Sequence, residues 1–355
     1  MTTSRKLRVV VVGAGDMGLR HALAWRELRA RTNGEIEGEL VGLVDDAPAR
    51  LEAARDLFRL SDSTLFSDYQ EAIASARPDV VSVCVPTAFH TTVGLVAIEH
   101  GAHVLIEKPL ALTLEQADSV ISAAERQGVL LAVGFMLRYS PAVRQLQNWV
   151  TQGKLGQPLF YSAENFMGIR PKIVMHHKNI NGGPLVDYWC HHFDLWSLLF
   201  QSEPLSVTGY GSTFAQGKPE VAHLSELAVD TAGVLVRYAN GSTGQLSTSW
   251  GLPRGLSVTF SADRLVGPLG IVIGDIRKSL TLYSVEEGSQ VQVQAENIER
   301  DFWQDEITAL ARAIVQGGAP LAGGAEGRKA LELSLAALES IETGQVVKLA
   351  KTLQV

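Results

Sequence analysis

Between Gly182 and Trp196 the chain reads GGPLVDYWCHHFDLW. Asp187, His191 and His192 are ionisable side chains in an otherwise apolar stretch. An imidazole has an ordinary pKa of about 6.5, so it can take or give a proton near neutrality. Pro184 suits a first helical turn, and Gly182-Gly183 give a permissive entry, so the spacing predicts one helix over 184–200. On that helix Asp187 and His191 are four residues apart and share a face, where the carboxylate would orient the ring and favour its protonated form. His192 turns about 100° away. Its readings are a packed, hydrogen-bonded histidine or a substrate contact at the helix edge. Asp194 either holds the helix or binds substrate.

A second pattern is GAGDMG, with Gly13, Gly15 and Gly18 in G-x-G-x-x-G spacing. It follows the β-branched run LRVVVV and opens a helical segment. Gly13 allows a tight turn, Gly15 a close backbone approach to a pyrophosphate, and Gly18 a close helix–strand contact. The turn, with Asp16 and Met17, then offers helix N-terminal N–H groups to phosphates. Asp45, 27 residues after Gly18, ends the next strand. A carboxylate there accepts ribose hydroxyls and repels a 2′-phosphate, which favours NAD over NADP. Arg50 close by leaves NADP possible. The other reading of Asp45 is a helix N-cap.

These residues need elements to hold them. The first third alternates strands (LRVVVVGAG, ELVGLVDD, PDVVSVCVP, AHVLIEKP, VLLAVGF) with helical segments, the rhythm of a parallel sheet covered by helices on both faces. After Phe135 comes a helix, SPAVRQLQNWVTQG. Period-2 segments then follow: PLFYSAENF, LSVTGYGST, TAGVLVRYANGSTGQLSTSW, LSVTFSA and SLTLYSV. They predict an antiparallel sheet with an Asn-Gly hairpin turn in ANGST. Two helices, from Asp301 and Gly324, close the chain. No repeat or polar linker interrupts it.

Bulk properties narrow the class. A chain of 355 residues is long for one core and predicts two domains. The formal charge is −7, with no basic run interleaved with aromatics, which argues against nucleic acid and against an anionic membrane. Only Cys84 and Cys190 are present, and the apolar run Val9–Val12 is too short for a signal segment. The expectation is a cytoplasmic protein. Adjacent histidines without H-x-x-x-H or C-x-x-C spacing predict no metal site.

Taken together, GAGDMG, VCVPTAFH, GAHVLIEKPLALT, GFMLRYSPAV, the Gly182–Trp196 segment and the closing pattern from Phe302 to Gly317 resemble the Gfo/Idh/MocA oxidoreductases over nearly the whole chain. The resemblance implies an α/β fold. An N-terminal Rossmann domain, a doubly wound parallel sheet, would occupy 1–136. A C-terminal α+β domain with an open antiparallel sheet would occupy 137–355, binding substrate and mediating homo-oligomers, dimers or tetramers, through that sheet. It implies NAD(P)-dependent hydride transfer to or from a secondary alcohol of a sugar, cyclitol or sugar derivative. Lys108, Asp187 and His191 become the catalytic set. His191 is the base for the hydroxyl proton, Asp187 its partner, and Lys108, at a strand end, the cation on the reacting oxygen.

The expected cofactor contacts are Gly13, Gly15, Asp16, Met17, Gly18, Asp45, Arg50, Pro86, Thr87, His90, Glu107 and Lys108. His90 has a second reading as a cap of the following helix. Arg138, His176, His177 and His192 are the expected substrate contacts, with a plain salt bridge as the other reading of Arg138. Two departures stand out: Pro184 and Trp189 occupy positions where the family commonly has glycine. Two other functions share the pattern. One is an enzyme that uses tightly held NAD transiently for net non-redox sugar chemistry, elimination or hydrolysis. The other is a non-catalytic dinucleotide sensor, against which the proton-handling set argues.

Overall fold

The structure, a computed structural model, describes residues 4–256, 260–286, 288–296 and 302–349. In chain order the elements are β1 (Arg5–Val12), α1 (Asp16–Arg31), β2 (Ile36–Val44), α2 (Pro48–Phe58), β3 (Leu65–Phe66), α3 (Tyr69–Ala76), β4 (Val80–Val83), α4 (His90–Glu99), β5 (His103–Ile106), α5 (Leu114–Gln127), β6 (Leu131–Val133) and α6 (Pro141–Thr151). There follow β7 (Phe160–Gly168), α7 (Pro184–Asp187), α8 (Cys190–Phe200), β8 (Pro204–Ser212), β9 (Thr231–Tyr238), β10 (Thr243–Leu252), β11 (Phe260–Gly267), β12 (Gly270–Asp275), β13 (Ser279–Glu286), β14 (Ser289–Glu296), α9 (Phe302–Gln316), α10 (Gly324–Thr343) and β15 (Val347–Lys348). They form two compact units, Met1–Met136 with Asp301–Arg328, and Leu137–Arg300 with Lys329–Val355.

The first unit is a six-stranded sheet in the order β3-β2-β1-β4-β5-β6, with every pair parallel. Val9, Val10, Val11, Val80, Val81, Val83, Val104 and Leu105 are fully buried, as a strand covered on both faces demands. The order turns back at β1 and β4, so the carboxyl ends of those strands flank the switch point where such sheets hold ligands. The expected boundary after residue 136 coincides with the end of this unit's first segment. Residues 301–328, read from the sequence as part of 137–355, lie with the first unit instead, because α9 packs on α1.

The second unit is a nine-stranded sheet, β14-β13-β12-β11-β7-β10-β9-β8-β15. It is antiparallel except between β7 and β10, which run parallel, a pairing that the expectation of a wholly antiparallel sheet missed. The β9–β10 turn holds Gly241 at φ 84, and the Asn240 side chain accepts the Ser242 N–H at 3.0 Å. β12 and β14 were not foreseen. The strand expected at LSVTFSA begins at Phe260, and 257–259 lie outside the described residues.

One face of this sheet is covered. Val234, Val236, Leu246, Tyr161, Leu265, Val272 and Leu282 are buried there, and Gly244 leaves room for the Trp196 indole, which a Cβ would meet at 2.3 Å. The other face is open. Among the described residues, no helix is long and apolar enough to cross a membrane.

Candidate active site

In the first unit the glycine turn is built by close approaches. Gly13 sits at φ 101, and a Cβ on it would lie 2.5 Å from the Cys84 carbonyl oxygen. A Cβ on Gly18 would lie 1.6 Å from the Gly13 carbonyl oxygen, so this helix residue closes the turn against itself. Gly15 differs: a Cβ there meets nothing within 4 Å, and no side chain caps α1. Asp16 is exposed, and Met17 is half-buried beside it. The N-terminus of α1, with its partial positive charge, therefore faces open space at the one position where a side chain would intrude on a bound pyrophosphate. The turn fits a dinucleotide.

Asp45 is buried and fixed. Its Oδ2 accepts the Ala14 N–H at 2.8 Å, and its Oδ1 accepts the Ala47 N–H at 3.0 Å. Arg50 lies 3.4 Å from it, largely in solvent. Pro86 and Thr87 follow β4, Pro86 half-buried and Thr87 buried. His90 opens α4 but does not cap it, since Phe89 occupies the cap position. Its Nδ1 lies 2.8 Å from the Pro109 carbonyl and its Nε2 2.9 Å from the Val85 carbonyl, so the ring bridges the ends of β4 and β5. Burial pushes its pKa down against the help of those carbonyls.

Lys108 is half-buried just beyond β5. Its backbone N–H donates to Glu107 Oε2 at 3.1 Å, and Glu107 Oε1 lies 3.1 Å from His21 Nε2 on α1. Burial would raise the Glu107 pKa, but the hydrogen bond and charge of His21 hold it below the usual value.

In the second unit the expected single helix over 184–200 is two. His191 N–H bonds to the Tyr188 carbonyl rather than to that of Asp187, and Trp189 N–H reaches back five residues to Pro184. The break brings Trp189 wholly inside, its ring 4.5 Å from that of His192 between centroids. Tyr188 and Trp189 keep right-handed backbone, so the chain direction continues through the break. Asp187 and His191, one on each side of it, are both buried.

His192 Nε2 lies 3.1 Å from Asp263 Oδ1 on β11, and the same oxygen accepts the Tyr161 hydroxyl at 2.9 Å. Burial and the Asp263 charge push the Tyr161 pKa well up, so its proton stays available to donate. Arg138 grips Asp194 with two bonds, 2.8 and 2.6 Å, the bidentate geometry of a guanidinium on a carboxylate. His176 is buried and accepts the Arg170 N–H at 3.0 Å, while half-buried His177 accepts the Asn179 N–H at 3.2 Å. Among the described residues no group of three His, Cys, Asp or Glu is placed to hold a metal ion.

Family models match both parts of the chain. Residues 7–135 match the oxidoreductase family with an NAD-binding Rossmann fold, and residues 143–265 match the GFO/IDH/MocA C-terminal domain. The chain belongs to the Gfo/Idh/MocA oxidoreductase family. The scyllo-inositol 2-dehydrogenase (NAD(+)) of Bacillus subtilis is 26% identical over 349 residues, 97% of this chain and 96% of that protein. The D-glucoside 3-dehydrogenase of Escherichia coli is 34% identical over 196 residues, 54% of this chain and 53% of that protein. A solved levoglucosan dehydrogenase in complex with NADH and levoglucosan shares the fold, with a TM-score of 0.86 at 20% identity over 98% of this chain and 100% of that one.

The protein is thus an NAD-binding oxidoreductase, and the matched ranges span the glycine turn, Lys108 and the Asp187–His191 segment. Two buried ionisable residues, His21 and Glu306, do not stand out in the sequence motifs. His21 lies on the buried stripe of α1 with Gly18, Trp25 and Leu28, and Glu306 on that of α9 with Phe302 and Leu310. An ionisable residue at a core position of an amphipathic helix was the available signal.

Proposed function

We propose that this protein transfers a hydride between NAD and a secondary alcohol of a sugar, cyclitol or related polyol. The observation that carries the reading is the first unit's strand-end arrangement: open space where a Gly15 side chain would be, a fixed carboxylate at Asp45, and Lys108 one sheet neighbour beyond β4. Relatives named for inositols and D-glucosides support the substrate class. Bound NAD supplies the hydride acceptor.

The chain's own residues do the rest. Lys108 hydrogen-bonds the reacting oxygen and stabilises negative charge as it develops there. His191 takes the hydroxyl proton, and Asp187 steadies the ring and its positive charge. Glu107 and His90, engaged with His21 and with two carbonyls, shape the strand ends rather than bind the nucleotide directly. Pro86 and Thr87, just beyond β4, would help to hold the dinucleotide. Arg138 is tied to Asp194, and His192 through its Nε2 to Asp263, so both brace the helix that carries His191. His176 is committed to Arg170, which leaves His177 to meet a polyol. A chain with only two cysteines suits a reducing, cytoplasmic setting.

The test is NADH absorbance at about 340 nm with NAD or NADP and a panel of sugars, inositols and sugar acids. Lys108→Ala and His191→Asn are each expected to lower kcat about 100-fold or more while dinucleotide still binds. No substrate-dependent rise with any polyol, in protein that binds NAD tightly, would refute hydride transfer as the net reaction.

A further inference from the structure

The geometry points to His21 as a positioning residue for Lys108, acting through Glu107. This rests on the reading of Lys108 as the group on the reacting oxygen. His21 is fully buried on the helix that begins at the glycine turn, and its Nε2 lies 3.1 Å from Glu107 Oε1. The second oxygen of the same carboxylate accepts the N–H of Lys108. Gly134 closes the back of the site, where a Cβ would come within 3.1 Å of that carboxylate. Glu107 thus has little room to move and a partner on each oxygen. The lysine next to it is held by its own backbone rather than by a surface loop.

The titratable groups that act on one another here include His21, Glu107, Cys84, His90, Glu306 and Lys108. Glu306 is 2% exposed, and neither of its carboxyl oxygens has a hydrogen-bond partner. Burial, and then the nearby Glu107, push its pKa well above the usual value, so it holds a proton. Burial likewise raises the Cys84 thiol and keeps it neutral. Burial opposes charge on His21, while its hydrogen bond to the Glu107 carboxylate and the charge of that carboxylate favour the imidazolium and raise its pKa. One buried anion, Glu107, is therefore matched by one buried cation, His21. Two carboxyls in so tight a space cannot both ionise, and the one paired with the imidazolium keeps the charge. The negative charge that Lys108 feels depends on a histidine that never meets the substrate.

Competitive acylation with acetic anhydride, read at Lys108 by peptide mass spectrometry, reports its free-amine fraction at each pH without turnover. In Glu107→Gln the midpoint is expected to fall by roughly half a pH unit or more, because a neighbouring carboxylate favours the ammonium. His21→Leu is expected to do the same, since a buried Glu107 deprived of its cation takes up a proton. His21→Gln keeps an N–H donor at the Nε2 position and is expected to move back toward wild type. An unchanged midpoint in natively folded Glu107→Gln would overturn the proposal, and so would a folded His21→Leu with the wild-type midpoint. If His21→Leu does not fold, a His21→Gln midpoint as low as that of Glu107→Gln supports it, and one equal to wild type in the face of an unshifted Glu107→Gln overturns it. Where turnover is found, His21→Leu should lower kcat about 10-fold with KM within about 2-fold. An absence of turnover tells against the function proposed above and leaves the acylation result standing.

Discussion

Asp45 uses its two oxygens for two neighbours, Ala14 of the glycine turn and Ala47 at the start of α2. Those bonds hold the carboxylate rigid at the tip of β2, and a fixed carboxylate there is a poor host for a 2′-phosphate. Arg50 is the nearest cation, and in Asp45→Ser it would lose its anion and be able to meet that phosphate. The ratio of kcat/KM for NAD over NADP is expected to fall about 10-fold or more in Asp45→Ser; an unchanged ratio would remove Asp45 from cofactor choice.

Glu306 gives a second test at this scale. Its folded pKa is raised above the ordinary 4.5, so the unfolded chain ionises first and the folded state loses stability as pH climbs from 4.5 toward the folded pKa. Glu306→Gln cannot ionise in either state. Its melting-temperature advantage over wild type should be small near pH 4.5 and grow by several degrees by pH 8, at about 2–4 °C per kcal/mol. An advantage that is flat with pH would mean that Glu306 is ionised in the folded protein. The strand-end positions of Asp45 and Lys108 were legible because buried parallel strands are uninterrupted apolar runs whose ends can be read from the sequence. His21 and Glu107 were not legible as a pair: 86 positions separate them, and only the sheet order brings the two together.

At the scale of elements, the glycine turn separates two jobs that the motif merges. Gly15 has φ −77, which any residue accepts, and open space where its Cβ would be. Gly15→Ala should therefore melt within about 2 °C of wild type and bind NADH about 10-fold or more weakly, by fluorescence titration. Gly18→Ala forces a methyl onto the Gly13 backbone, so it should lose both stability and binding. Equal melting losses in the two variants would refute this division. The strands and helices of the first unit were readable because buried parallel strands are uninterrupted apolar runs. The break between α7 and α8 was not. Asp187 and His191 have helical spacing in the sequence, which says nothing of the long-range setting of the break, where Trp189 is wholly buried and His192 reaches Asp263 on β11. The parallel pairing of β7 with β10 has the same character, since period-2 patterns fix a strand's faces but not its neighbour.

At the scale of the whole molecule, the open face of the nine-stranded sheet is the feature that a single chain leaves unexplained. Leu235 on β9, Phe160 on β7, Val266 on β11, Ile273 on β12 and Val285 on β13 are exposed. The pairing registers put them on one side: Leu235 lies in one cross-strand row with Gln245, Ser162, Arg264 and Ile273, and Phe160 pairs directly with Val266. Apolar side chains gathered on one sheet face, with Arg264, Glu164 and Gln245 among them, suit a partner surface of the same make-up. We propose that a second copy of the chain covers it, an isologous contact in which each residue meets its symmetry mate's neighbourhood. Phe160 and Val266 sit at its middle strands, so a charge there would be buried in the pair without a counter-ion. Val266→Glu is expected to weaken self-association about 100-fold or more by sedimentation velocity, while the monomer keeps its NADH affinity, because the dinucleotide residues lie in the other unit. Wild-type protein that sediments as a monomer at micromolar concentration, or Val266→Glu that associates as tightly as wild type, would assign this face to something other than a second copy.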